Sequence, residues 1–135
     1  ALGVTATADG DRVVTNGDIT DVSISDSGLG TELELSMEAT RLWWGTIGGA
    51  TAYDVVRGSI HDLQAALGDF SNTLATETCL GNNQAGTSVE DPGTPLAGQG
   101  YWYLVRDAAG SYDTGASSQI GLRDAEIAAS GNGCP

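Results

Sequence analysis

Apolar and polar residues alternate in short runs along most of this chain, and no run holds a helical period for long. In residues 32–39, Leu33, Leu35 and Met37 fall on one face, while Glu32, Glu34, Ser36 and Glu38 fall on the other. A period of two with one apolar face predicts a half-buried strand. Leu42 and Trp44 carry the inward face into a second strand, which leaves Trp43 on its outer face. Gly48-Gly49 marks a turn, after which Tyr53 and Val55 point inward from a third strand. Residues 101–106 repeat the pattern, with Tyr101, Tyr103 and Val105 inward. The same parity turns Val56, Trp102 and Leu104 outward together.

One segment breaks the alternation. Ser59, with Asp62 three residues on, resembles a helix N-cap, and Ile60, Leu63, Ala66 and Leu67 share one helical face before Gly68. This predicts a short helix over 59–67 inside a β protein, with His61 on its surface. Residues 70–80 read as a strand pair or an extended segment, and 82–86 as a turn. Residues 90–100, with Pro92 and Pro95, read as a crossing loop. Residues 117–127 read as the last strand, followed by a tail over 128–135.

The strand pieces Leu42-x-Trp44, residues 49–58 and residues 101–106, in this order and spacing, resemble a fibronectin type III domain. In that family a tryptophan lies on the second strand, and Trp44 takes its place. A small Gly-containing loop with a tyrosine precedes the sixth strand; here it is Ala97-Gly98-Gln99-Gly100-Tyr101, with Ala97 where the family has proline. Tyr101 thus resembles the tyrosine of the corner motif. The resemblance implies an all-β, immunoglobulin/fibronectin III-like β-sandwich over 31–135, of a bacterial secreted kind. The inserted helix and the cysteine pair depart from the pattern.

Residues 1–30 lie outside that resemblance. They hold three short alternating pieces, 4–8, 12–15 and 19–25, punctuated by Gly17, Gly28 and Gly30. This N-terminal β arm is too thinly apolar for a core of its own, so it must pack on something. The outward set Val56, Trp102 and Leu104 forms a candidate acceptor, since a contiguous apolar patch marks an interaction site. Two coverings stay open: the chain's own arm or helix, or a neighbouring copy of the chain.

Composition narrows the partners. The net charge is −13, and all five basic residues are arginine. A polyanion gains nothing by displacing counterions from nucleic acid, and anionic membrane surfaces repel it. No stretch reaches the length of a membrane span. A start at Ala1 rather than Met leads us to expect that a leader is removed. Cys79 and Cys134 are the only cysteines; in a secreted β domain they predict one disulfide that staples the C-terminal tail to the body. The spacing offers no CxxC pair for zinc.

Catalytic patterns are missing. No Gly-x-Ser-x-Gly, His-Glu-x-x-His or phosphate-cradling loop occurs, and a single histidine leaves no triad to build. Glu32 and Glu34 fit a solubilising strand face better than a glycosidase pair. Residues 7–18 faintly resemble a Ca2+ loop in which Asp9, Asp11 and Asp18 are the candidate metal ligands. Arg12 stands where that loop requires glycine, and an acidic hairpin turn explains the same residues.

We therefore expect no enzyme and no resident cofactor. The expected function is a secreted or cell-surface structural subunit that binds copies of itself non-covalently and builds an extracellular filament. The absence of lysine excludes isopeptide-linked pili. The expected interface pairs Val4, Ala6, Ala8, Ile19, Val22 and Ile24 of the arm with Val56, Trp102 and Leu104. The alternative is a carbohydrate-binding or spacer module, with Trp43 and Trp102 stacking on sugar rings.

Overall fold

Valine, tyrosine and tryptophan crowd the two segments that form the middle of the larger sheet, where β-branched and aromatic side chains fit a pleated surface on both faces. The computed structural model describes residues 4–6, 12–14, 35–38, 40–119 and 121–135. The described strands are β1 (Val4–Ala6), β2 (Arg12–Val14), β3 (Leu35–Glu38), β4 (Arg41–Trp44), β5 (Tyr53–Ser59), β6 (Thr76–Gln84), β7 (Ser88–Glu90) and β8 (Tyr101–Asp107). Helices α1 (Ile60–Ala65) and α2 (Arg123–Ser130) complete the set.

The strands form two antiparallel sheets, ordered β1-β2-β8-β5-β6 and β3-β4-β7. With two short helices, the arrangement is mostly β and compatible with a β-sandwich. Leu42 and Trp44 of the smaller sheet meet Tyr53, Val55 and Tyr103 of the larger one in the first core cluster. Trp44 and Tyr53 touch edge to face, with ring centroids 5.6 Å apart. The alternation had assigned these residues inward.

The outward set has its own core. Val56 and Trp102 pack with Phe70, Tyr112 and Ile127, and Leu104, Ile60 and Leu63 border them. The far face of the larger sheet is thus covered by α1, α2 and the turns between Phe70 and Ala75. Val56 lies directly opposite Leu104, and Gly58 opposite Trp102. Gly58 is needed there: a Cβ would stand 1.8 Å from the Ala75 carbonyl oxygen and 2.3 Å from the Trp102 ring. Gly58→Ala is expected to destabilise the protein by about 3 kcal/mol, as overpacking against backbone does at its upper range. Thermal melting checks this, and a wild-type melting temperature would contradict the close approach.

Helix α1 starts as predicted, with the Asp62 N–H donating to the Ser59 hydroxyl at 3.1 Å. Its end differs. Leu67 adopts a left-handed conformation and is 95% exposed, so it does not share the buried face with Ile60 and Leu63. The turn expected over 82–86 is partly strand. The β6 strand runs to Gln84 because the buried Asp54 carboxylate accepts the Asn83 N–H at 2.9 Å and holds the irregular end against β5.

The predicted last strand over 117–127 is corrected. Its end is helix α2 instead, with Asp124 and Glu126 in the first turn and Gly131 left-handed at the C-cap. The Asp113 side chain accepts the Arg123 N–H at 2.8 Å and so caps the helix from outside it. Ile127 is buried, whereas Leu122, just before the helix, is 65% exposed.

Candidate assembly site

Strand β8 is the hinge between the body of the larger sheet and the arm. On one side it pairs with β5 along its whole length, from Ser59 opposite Tyr101 to Tyr53 opposite Asp107. On the other side it meets β2, with Val13 opposite Trp102 and Val14 opposite Tyr101. The β1–β2 hairpin therefore extends the sheet from the N-terminal end of the chain. Among the described residues, β2 covers only this start of the seven-residue β8.

Two arginines, each held by a pair of carboxylates, fix the edge. At the start of β8, Arg57 reaches from β5 over the Tyr101 ring, 4.1 Å from its centroid. Its guanidinium meets Asp91 at 2.6 Å and Glu77 at 2.8 Å. Burial opposes the charge on Arg57, but Asp91 and Glu77 outweigh it and raise its pKa above the ordinary value. Asp91, 1% exposed, also accepts the Tyr103 hydroxyl at 2.8 Å. The Asp91 backbone N–H donates to the Thr40 carbonyl, so this one residue, which follows β7, ties the smaller sheet to β5 and β8. Buried charges are stable only with partners of this kind.

At the other end of β8, Arg106 pairs with Asp54 at 2.9 Å and Asp124 at 3.1 Å, and lies over the Tyr112 ring. Asp124 belongs to α2, so this cluster anchors the helix on the sheet. Burial works against the Asp124 carboxylate, but hydrogen bonds from Ser111 and the Tyr112 N–H, with Arg106 beside it, outweigh that and lower its pKa below 3.8. A depressed folded pKa stabilises the fold above about pH 4, and the contribution is lost as pH falls through the folded value. The melting-temperature gap between wild type and Asp124→Asn is expected to narrow below pH 3.8. A gap unchanged from pH 6 to pH 2 would contradict this assignment.

Several expected site residues can now be placed. Val4 and Ala6 lie on β1, whereas Ala8, Ile19, Val22 and Ile24 lie outside the described residues. Asp9, Asp11 and Asp18 lie outside them too. Among the described residues no group of three or more His, Cys, Asp or Glu side chains could hold a metal ion. Val56 and Trp102 are not an open acceptor surface: Phe70, Tyr112 and Ile127 of the same chain bury them, and Leu104 is partly buried beside them. Burial removes Trp102 as a sugar-stacking platform as well. Trp43 remains partly exposed, with Arg41 5.9 Å above its ring.

Cys79 and Cys134 form a disulfide. It joins β6 to the tail beyond α2, and Asn132 in that tail donates to the Thr76 carbonyl at 2.8 Å. The arginine–carboxylate clusters were not foreseen. Their only trace in the sequence is that every basic residue is arginine, the side chain suited to bidentate carboxylate pairing.

The pairing of β2 with the start of β8 is what the geometry adds to the sequence. No family model, curated protein or solved structure matches this chain.

Proposed function

We propose that this chain is a non-enzymatic structural subunit that associates with copies of itself through strand contacts and forms an extracellular filament. One observation carries the reading: the strand beside β8 comes from the N-terminal arm and not from the chain that follows β8. In immunoglobulin-like sandwiches the strand following the sixth in sequence fills that place. Here the following segment ends in α2, on the outer face of the sheet.

The adjacency of β5 and β8 in one sheet supports the fibronectin III-like resemblance. A disulfide suits an oxidising compartment and supports secretion. The net charge of −13 keeps individual subunits soluble.

Negative-stain microscopy of the oxidised chain, beside a version lacking residues 1–30, tests the proposal. Filaments from the intact chain and dispersed particles from the shortened one are expected. Monomers in both samples would overturn the filament reading and shift attention to a binding module around Trp43.

A further inference from the structure

The hairpin contact on β8 is small. The β2 strand has three residues, and only Val13 and Val14 pair with β8. The next described strand, β3, begins at Leu35 on the edge of the other sheet. Residues 15–34 therefore join the hairpin to the body. Fully extended, a stretch of that length spans about 70 Å, more than the width of a domain of this size.

From these facts we infer that the β1–β2 hairpin is an exchangeable element, and that the edge of β8 at Tyr101 and Trp102 receives the hairpin of a second copy of this chain. The inference rests on the assembly reading above and names the contact by which it occurs. Three observations select this occupant. The chain's own hairpin is seated on that edge, so the edge accepts this sequence in this register. The segment following β8 does not compete for it, because α2 is held on the outer face by Asp113, Arg106 and the disulfide. The edge is also anchored from within its own sheet and core, by full-length pairing with β5 and by the Arg57 and Arg106 ion pairs.

The strand contacts are the same whether the hairpin comes from one chain or the next. Exchange then depends on concentration: the tethered hairpin competes at an effective concentration of about millimolar. Each chain gives one hairpin and receives one, which is a head-to-tail contact. Such contacts repeat into a fibre unless the rotation closes a ring. Beyond β2's reach, residues 103–107 of β8 have no second strand partner among the described residues.

Cross-linking at the register position tests this. Val14 and Tyr101 are direct cross-strand partners, at a separation within reach of a disulfide. The full-length chain carrying Val14→Cys and Tyr101→Cys is concentrated, oxidised mildly and run on a non-reducing denaturing gel. Exchange yields bands at multiples of 13.7 kDa, a ladder where the contacts run on and one higher band where they close into a ring, with the 14–101 cross-link between chains. A single monomer band with the same link inside one chain overturns the inference. Microscopy of the same sample separates the two proposals: filaments with only intrachain links leave the filament reading standing and remove the exchange. Val14→Tyr, joined to the native Tyr101 by photo-oxidation, repeats the test without altering β8, and its gel must show the same bands.

Discussion

Trp102→Ala is expected to lower the stability of the folded chain by about 4 kcal/mol, within the range for deleting a buried aromatic side chain. The residue is 2% exposed and sits at the centre of the outer cluster. Phe70 meets it edge to face at 5.0 Å, and its indole N–H donates to the Ala75 carbonyl at 3.0 Å. Alanine removes the apolar burial and leaves a cavity between β5, β8 and α2. A domain is typically stable by about 5–15 kcal/mol, so this loss approaches the whole margin. Denaturant unfolding followed by far-UV circular dichroism measures it. Trp102→Phe keeps most of the volume and loses the N–H, so its cost is expected near 1–2 kcal/mol. A cost below about 1 kcal/mol for the alanine variant would mean that this face is not packed by α2. Trp102 would then return as an exposed platform, and the sugar-binding alternative would regain its ground.

Breaking the disulfide is the second large effect. Cys79 and Cys134 are 55 residues apart, and the chain-entropy relation gives about 4 kcal/mol for closing a loop of that length. The loss should be uneven. Cys79 lies opposite Val56, a member of the outer cluster, while Cys134 lies in the tail that follows α2. Cys79→Ser with Cys134→Ser is therefore expected to free α2 and its Ile127 first. Hydrogen exchange should quicken in residues 123–130 before it quickens in β5, and tryptophan fluorescence should shift to the red as Trp102 becomes wet. Equal protection in the oxidised and reduced chains would show that the Asp124–Arg106 contact and the Asp113 cap hold α2 without the staple. The two variants act on the same cluster, so their costs are not expected to add.

Both effects concern the outer face of the larger sheet, where sequence and structure agree on one level and part on another. The alternation in 101–106 placed Trp102 and Leu104 together with Val56, and they are together. It also assigned Tyr53, Val55 and Tyr103 to the opposite face, where they meet Leu42 and Trp44. Parity was legible because side chains alternate across any strand, whatever its neighbours. What covers each face was not. Coverage depends on contacts such as Phe70 with Trp102, which join residues far apart in the chain.

The last third of the chain shows why local patterns misled. Residues 117–127 read locally as a strand, but α2 is capped by Asp113 and its Glu126 accepts the Phe70 N–H at 3.0 Å. Those partners are invisible to a local window. The same holds for Asp91 and Asp54, two of 18 acids in a chain whose excess reads as solubility. They are buried because Arg57 and Arg106 come to them across strands.

By itself, the sequence determined the strand-rich class, the parity of the central strands, the start of α1 and the pairing of its only two cysteines. Each follows from local periodicity, capping chemistry or simple counting. Only the tertiary structure decided that α2 and not a strand follows β8, that Trp102 is buried under it, and that β2 pairs with the start of β8. The physical reason is that a strand edge is defined by which backbone groups are left unpaired after the whole sheet has formed, and that is a property of the assembled sheet rather than of any segment in it.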